Sequence, residues 1–150
     1  MALKIPPVVL VVVAAFLMWG LDQMMPAWRF DMLWAKAFSV ELILVGLGIC
    51  ALGVVAFRQA RTTVNPLAPE LASALVVAGI YRYTRNPMYL GFLILLLGWA
   101  VFLENVAAFL VLPLFVLYMN RFQIEPEERA LEALFGQEFV DYKQSVRRWI

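Results

Sequence analysis

Four apolar stretches separated by short polar segments constrain this chain more than any other feature of its sequence. They cover approximately residues 5–21, 37–57, 88–103 and 106–119. A helix needs roughly 17–25 apolar residues to cross a bilayer, so the first two stretches reach this length and the last two fall just below it. Composition agrees, because 64% of the residues are hydrophobic and 15% are charged, against roughly 45–50% and 25% in soluble domains. We predict an all-α integral membrane protein with about four transmembrane helices, which excludes a soluble globular enzyme and a disordered chain.

The third and fourth apolar stretches are separated only by Glu104 and Asn105, which predicts a tight helical hairpin. A chain of 150 residues has the length of one domain. We therefore predict a single membrane domain whose polar part consists of residues 58–87 and 120–150. If the protein carries out a chemical reaction, its site is expected where these two segments meet.

The basic residues are distributed very unevenly between the two sides of such a domain. With four spans, both termini and residues 58–87 lie on one side, which carries ten of the twelve lysines and arginines. These ten are Lys4, Arg58, Arg61, Arg82, Arg85, Arg121, Arg129, Lys143, Arg147 and Arg148. Arg29 and Lys36 lie on the other side. Because positive charge concentrates in cytoplasmic segments, we predict cytoplasmic termini in a multi-pass protein of a prokaryotic inner membrane.

The composition narrows the chemistry further. The sequence contains no histidine, which is the commonest general base and the commonest metal ligand, so we predict no metal site. The single cysteine, Cys50, excludes an internal disulfide. A net charge of +1 gives no case for binding nucleic acid.

The last thirty residues combine helix signals with a pair of glutamates. Pro126 suits the first turn of a helix, and Glu127 and Glu128 would then lie near the positive end of its dipole. Gly136 predicts a break that divides the tail into two short helices. Two interpretations of the glutamates stay open, namely compensation of the helix dipole and contact with a ligand.

Two motifs flank the predicted hairpin. Residues 75–91 read LVVAGIYRYTRNPMYLG, and residues 127–142 read EERALEALFGQEFVDY. Both motifs, in this order and with this separation, resemble the isoprenylcysteine carboxyl methyltransferase family, and the related phospholipid methyltransferases share its C-terminal half. The resemblance covers roughly residues 58–150, whereas the first two spans match only as generic membrane helices.

The resemblance implies methyl transfer from S-adenosyl-L-methionine, with S-adenosyl-L-homocysteine as the product, in a pocket that faces the cytoplasm. It also implies a set of cofactor-binding residues in the loop, in the Asn-Pro-Met-Tyr box and at the first glutamate of the pair. These are Ala74, Leu75, Val76, Tyr81, Asn86, Pro87, Met88, Tyr89 and Glu127. Arg121 is the arginine nearest to one that the family associates with the acceptor substrate, and Gln123 is the alternative occupant of that position.

The lack of histidine bears on the methyl acceptor. A carboxylate acceptor is already ionised at neutral pH and needs no base. An amine or a thiol must lose a proton, for which Glu128, Tyr89 and water are the candidates. We therefore favour a carboxylate acceptor, small or lipophilic, that reaches the site from the bilayer. Asn86 stands where eukaryotic members of the family have histidine, so this position is expected to form hydrogen bonds but not to titrate.

A small four-helix transporter or structural membrane protein is the alternative from another class, with Glu41 as the coupling carboxylate of a transporter. Such a carboxylate is expected to face the helix bundle near mid-membrane, whereas Glu41 lies within a turn or two of the outer end of its stretch. Membrane sterol reductases share a similar C-terminal half but need many more spans than 150 residues provide. Pairing of two copies into a homodimer is left open.

Overall fold

The computed structural model describes residues 5–61 and 72–150. All the named regular elements in that part of the chain are helical, which confirms the predicted all-α class. Lys4 and residues 62–71 of the predicted polar loop lie outside the described residues. The helices are α1 (Pro7–Met24), α2 (Ala35–Gln59), α3 (Pro87–Leu103), α4 (Val106–Phe109), α5 (Val111–Tyr118), α6 (Glu125–Phe135) and α7 (Gln137–Ser145). Short 3₁₀ turns occupy Pro26–Trp28 and Gly79–Arg82, and a π-helical turn occupies Met119–Ile124.

Three helices of the described chain are long and apolar enough to cross a membrane. They are α1, α2 and a continuous helix from Val106 to Phe135, which we call the 106–135 helix. Helix α3 is a further apolar helix of 17 residues. The apolar part of the 106–135 helix ends near Met119, and Glu127 and Glu128 lie beyond it in the polar part.

Pro126, Glu127 and Glu128 lie in the first turn of α6, as the sequence predicts. Helix α6 is nevertheless continuous with the helix before it. Pro126 has no N–H and cannot make the α-helical hydrogen bond to the carbonyl of Phe122. The preceding turn, Met119–Ile124, is π-helical, and this wider turn lets the helix continue through the proline. The predicted break at Gly136 is confirmed, because α6 ends at Phe135 and Gly136 has φ +55°.

Helices α2 and α3 pack closely because glycines occupy their contact. A Cβ atom built on Gly46 would lie 2.8 Å from the carbonyl oxygen of Gly91, and one on Gly98 would lie 3.0 Å from the carbonyl oxygen of Ser39. Small residues allow membrane helices to approach until their backbones touch. This contact fixes the position of α3, whose first turn carries Met88 and Tyr89.

The hairpin between α3 and α4 is as tight as predicted, and a buried polar cluster holds it. Glu104 and Asn105 separate the two helices, and the side chain of Asn105 accepts a hydrogen bond from the N–H of Ala107 at 2.9 Å. Asn105 also donates to Asp22 at the end of α1 (3.1 Å). Arg29 donates two further hydrogen bonds to Asp22, at 2.7 and 2.6 Å. The cluster joins α1, the connection to α2 and the hairpin at the end of the molecule opposite to the polar segments.

Candidate active site

A cavity of about 660 Å³, including the solvent at its mouth, opens where the polar segments meet. Its walls come from α2, from the segment between α2 and α3, from α3, from the 106–135 helix and from α7. The lining residues are Phe57, Ala72, Ala74, Leu75, Val76, Tyr81, Arg85, Asn86, Met88, Tyr89, Ile124, Glu127, Glu128, Leu131, Phe139 and Tyr142. Residues from both sequence motifs therefore line one cavity.

Eight of the nine predicted cofactor-binding residues line this cavity. They are Ala74, Leu75, Val76, Tyr81, Asn86, Met88, Tyr89 and Glu127. Pro87 is the exception, because it is fully buried at the first position of α3. Proline is favoured there because its fixed φ suits the first turn of a helix and its missing N–H would have had no partner. Its place in the motif is explained by the start of α3.

Glu127 and Tyr89 bring the two motifs into direct contact. The Tyr89 hydroxyl donates a hydrogen bond of 2.9 Å to Oε2 of Glu127, across 38 residues of sequence. The same hydroxyl accepts a hydrogen bond of 3.3 Å from Nε2 of Gln123. Burial raises the pKa of Glu127 to about 7, because the hydrogen bond from Tyr89 only partly offsets the desolvation and Glu128 adds repulsion. The cavity therefore contains a carboxylate that changes charge near neutral pH.

Glu128, the second glutamate, has a different environment. Arg85 donates to its Oε1 at 2.9 Å, and Arg148 donates to Oε1 at 3.1 Å and to Oε2 at 2.7 Å. Burial alone would raise the pKa of Glu128, but the hydrogen bonds and charges of Arg148 and Arg85 lower it below its ordinary value. A carboxylate held in this way is a poor proton acceptor, which argues against the predicted catalytic role of Glu128.

Arg85 connects the cavity wall to the end of the chain. Its Nη1 donates to the carbonyl oxygens of Lys143 and Val146, each at 2.7 Å. Its backbone N–H donates to the carbonyl oxygen of Arg147 at 3.0 Å. Its Nε is buried and has no hydrogen-bond partner among the residues that the structure describes. A buried donor without a partner is costly.

Asn86 lines the cavity and also forms hydrogen bonds within the protein. Its side-chain amide donates to the carbonyl oxygen of Arg148 at 3.0 Å, and its backbone N–H donates to Oγ1 of Thr84 at 3.2 Å. Asn86 is thus bonded to residues 146–150, which we call the C-terminal segment. Trp149 extends this attachment by donating to Oδ1 of Asn120 at 3.0 Å.

Arg121 does not line the cavity, and its role near the acceptor stays a prediction. Its side chain is 70% exposed and pairs with Glu125 at 2.9 Å. Residues two apart on a helix point in different directions, and it is Gln123 that is buried beside Tyr89. Of the two candidates for that position, only Gln123 contacts the site.

Arg85 and Arg148 are the charged residues around Glu128 that were not predicted from the sequence, where they were interpreted only as topological charges. Arg148 lies 20 residues from Glu128 in sequence, and Arg85 lies 43 residues from it. No local pattern marks partners at such separations. The only signal was that Arg85 directly precedes the Asn-Pro-Met-Tyr box.

The sequence profile of the phospholipid methyltransferase family matches residues 34–138, well over half of the chain. This chain belongs to the phospholipid methyltransferase family. The match extends from the residue before α2 into α7 and includes the first motif and residues 127–138 of the second. The family assignment and the resemblance drawn from the motifs therefore agree.

Individual relatives point to the same group of membrane methyltransferases. An uncharacterized protein of Haemophilus influenzae is 49% identical over 63 residues, which are 42% of this chain and all of that protein. Protein-S-isoprenylcysteine O-methyltransferase of Rattus norvegicus is 32% identical over 72% of this chain and 39% of that enzyme. The B enzyme of Arabidopsis thaliana is 28% identical over 75% of this chain and 57% of its own length. The chain thus spans about half the length of these named enzymes.

Among solved structures, the chain is similar to a eukaryotic intramembrane Ras methyltransferase, isoprenylcysteine carboxyl methyltransferase. The identity is 26%, the alignment covers 98% of this chain and 53% of that one, and the TM-score is 0.49.

Proposed function

We propose that this protein is an S-adenosyl-L-methionine-dependent methyltransferase of the membrane that methylates a lipophilic acceptor and releases S-adenosyl-L-homocysteine. The observation that carries the proposal is the hydrogen bond between Tyr89 and Glu127. It joins the two family motifs inside one cavity, which Leu75 and Val76 also line. Family membership supplies the reaction class.

The lining of the cavity fits the chemical groups of this cofactor. Glu127 suits the cationic amino group or the ribose hydroxyls, since an ionised carboxylate is an acceptor only. The positive charge of Arg85, which lines the cavity, suits the carboxylate. The apolar side chains of Leu75, Val76 and Met88 suit the adenine and the carbon chain. When bound, the cofactor supplies an electrophilic methyl group on a positively charged sulfur, so the residues of this chain need above all to orient it and to exclude water.

The residues of the site constrain the methyl acceptor less closely than they constrain the cofactor. A carboxylate acceptor remains our first candidate, because it needs no base. The pKa of Glu127, about 7, favours an amine acceptor as the second candidate, since a carboxylate that titrates near neutral pH can take up a proton. Among the proteins similar to this chain, the phospholipid methyltransferase family and the protein-S-isoprenylcysteine O-methyltransferases represent these two acceptor classes. Purified protein supplied with each class of lipid and labelled methyl donor would distinguish them.

The cavity is proposed to face the cytoplasm, because it lies among the segments that carry most of the arginines and lysines. A prokaryotic inner membrane and a homodimer remain proposals of the same kind. A transporter is not favoured. Glu41 is exposed on the outside of α2 and lies near its first residue, Ala35, whereas a coupling carboxylate would face the bundle.

Titration calorimetry of the detergent-purified protein with S-adenosylhomocysteine tests the proposal without knowledge of the acceptor. We expect one saturable site per chain. Glu127→Gln should weaken binding at least tenfold, whereas Glu138→Gln, on the exposed face of α7, is the matched control and should bind as the parent does. A folded protein that does not bind S-adenosylhomocysteine would contradict the proposed function.

A further inference from the structure

We propose that Gln123 is a positioning residue that directs the hydroxyl proton of Tyr89 onto Glu127 and so keeps this carboxylate charged and oriented toward the cavity. The inference rests on the proposed function, in which Glu127 contacts the cofactor. It concerns a residue that does not line the cavity itself. Gln123 acts through Tyr89, and its effect is therefore expected in the titration of Glu127.

The direction of each hydrogen bond follows from the groups involved. The Gln123 amide N–H₂ can only donate, and an ionised Glu127 can only accept. The Tyr89 hydroxyl between them therefore accepts at 3.3 Å and donates at 2.9 Å. A hydroxyl that accepts one hydrogen bond becomes a stronger donor in the next. Gln123 thus strengthens the bond that favours the charged form of Glu127.

Burial makes this chain of three groups specific. Gln123 is 2% exposed and Tyr89 is 4% exposed, so water cannot easily replace either partner. If the amide were lost, the hydroxyl hydrogen of Tyr89 would no longer be confined to Glu127. A buried hydroxyl with a free rotor would then stabilise the carboxylate less.

The π-helical turn gives this arrangement its backbone. Gln123 is the fifth residue of the turn Met119–Ile124, and Glu127 follows it at four residues, on the same side of the 106–135 helix. Single π turns inside α-helices are rare and often occur at functional sites. Here the turn lies directly before Pro126 and places an amide and a carboxylate against one tyrosine of α3.

The other ionisable groups at the cavity do not take over this role. Glu128 is paired with Arg85 and Arg148, and Tyr142 donates to the carbonyl oxygen of Tyr81 at 2.7 Å. Glu128 repels a charge on Glu127, and so opposes the effect of Tyr89. None of these residues shares a described hydrogen bond with Glu127. Among the described hydrogen bonds, the one to the Tyr89 hydroxyl links Gln123 to Glu127.

The test replaces Gln123 with residues of similar size and reads the titration of Glu127. Gln123→Met removes the donor at nearly constant volume, and Gln123→Asn keeps an amide that is too short to reach Tyr89. Gln137→Met, an exchange of the same kind at the exposed start of α7, is the matched control. S-adenosylhomocysteine affinity is measured by calorimetry between pH 5.5 and 8.5, and thermal unfolding shows which variants fold.

For the parent protein, affinity should rise with pH through a midpoint set by Glu127. Both Gln123 variants should move this midpoint upward by about half a pH unit or more, which lowers affinity about threefold at pH 6.5 and leaves it within twofold at pH 8.5. Gln137→Met should not move it. Affinity that falls equally at every pH, or an unchanged midpoint, would show that Gln123 only fills space and would overturn the proposal.

A second readout needs no ligand. In infrared spectra, the band of the protonated Glu127 carboxyl group is identified as the one that disappears in Glu127→Gln. The pH at which this band has half its full intensity should be higher in both Gln123 variants than in the parent. A parent protein that fails to bind S-adenosylhomocysteine at any pH would contradict the proposed function, while this infrared titration would still test Gln123. An unshifted band would overturn the role of Gln123 alone.

Discussion

Arg148 donates two hydrogen bonds to Glu128, from Nε to Oε1 at 3.1 Å and from Nη2 to Oε2 at 2.7 Å. Arg85 donates to the same carboxylate from the other motif. One glutamate of the pair therefore holds the C-terminal segment against the turn before α3. The other, Glu127, is left to face the cavity with only Tyr89 as a described hydrogen-bond partner. Two adjacent residues of the same type thus have different tasks because their partners differ.

The first prediction concerns this attachment. Arg148→Met removes two charge-assisted hydrogen bonds from a buried carboxylate, each worth about 1.5–3 kcal/mol at most, and Arg148 is partly exposed. We expect a loss of about 1–3 kcal/mol, seen as a thermal midpoint several degrees lower in detergent, and weaker binding of S-adenosylhomocysteine. Arg147→Met, at the exposed neighbouring side chain, should change neither quantity. Equal effects of the two exchanges would mean that general charge, and not the Glu128 contact, is responsible.

The second prediction concerns the pH dependence of stability. The pKa of Glu127 is raised from an ordinary 4.5 to about 7, so between these values the native protein binds more protons than the unfolded chain. The contribution of Glu127 to stability is then largest below about pH 4.5 and is lost as the pH rises through 7. Glu127→Gln removes this contribution.

Thermal unfolding of the ligand-free protein against pH is the measurement for this second prediction. We subtract the unfolding midpoint of Glu127→Gln from that of the parent at each pH, and this difference should decrease from pH 4.5 to 7.5. The same difference for Glu138→Gln should not change with pH. Glu128 does not enter this difference, because its lowered pKa moves its own titration to more acidic conditions. A difference that is constant over the window would mean that Glu127 is charged throughout.

The hydrophobic pattern predicted the helices well because apolar stretches of about 20 residues have few alternatives to a membrane helix. It could not predict the path through Pro126. A proline at the start of a new helix and a proline that follows a π turn look alike locally. The wider turn is needed only because α4 and α5 continue into α6. This continuation depends on tertiary packing, which the local sequence does not show.

For the candidate site, the residues that line the cavity came from the two motifs, and their positions largely agree with the expectation. The errors concern residues whose role depends on distant partners. Arg121 and Gln123 could not be distinguished without the helix geometry, and Glu128 could not be assigned without Arg148. Hydrogen bonds across 20 to 62 residues, such as that from Asn86 to the Arg148 carbonyl, leave no periodic trace in a sequence.

The third prediction tests the glycine contact between α2 and α3. In Gly46→Ala the new methyl group would lie 2.8 Å from the carbonyl oxygen of Gly91 and 2.9 Å from Cγ of Leu95, so the helices must separate. Overpacking of this kind costs about 1–3 kcal/mol. It should lower the thermal midpoint and weaken cofactor binding, since α3 carries Tyr89.

Gly48→Ala on the same helix is the matched control for the glycine contact. A Cβ at this position meets nothing within 4 Å, and alanine favours a helix more than glycine does. We expect an unchanged or slightly higher thermal midpoint. If both alanine variants behaved alike, close packing of α2 on α3 would not be what positions the first turn of α3.

The fourth prediction separates stability from binding by using the polar cluster at the opposite end of the molecule. Asp22→Asn leaves Arg29 and Asn105 without their shared carboxylate, which is 4% exposed. Because the Arg29 side chain is half exposed, the free energy of unfolding should fall by about 1–3 kcal/mol, which is less than for a fully buried pair.

Affinity of the Asp22→Asn variant for S-adenosylhomocysteine should stay within twofold of the parent below the unfolding temperature, because the cavity lies at the other end of the molecule, among the polar segments. Asp31→Asn, at an exposed position, should alter neither. If Asp22→Asn lost as much affinity as Arg148→Met, a change in the packing of α1 and the hairpin would have altered the cavity. The two ends of the molecule would then form one cooperative unit.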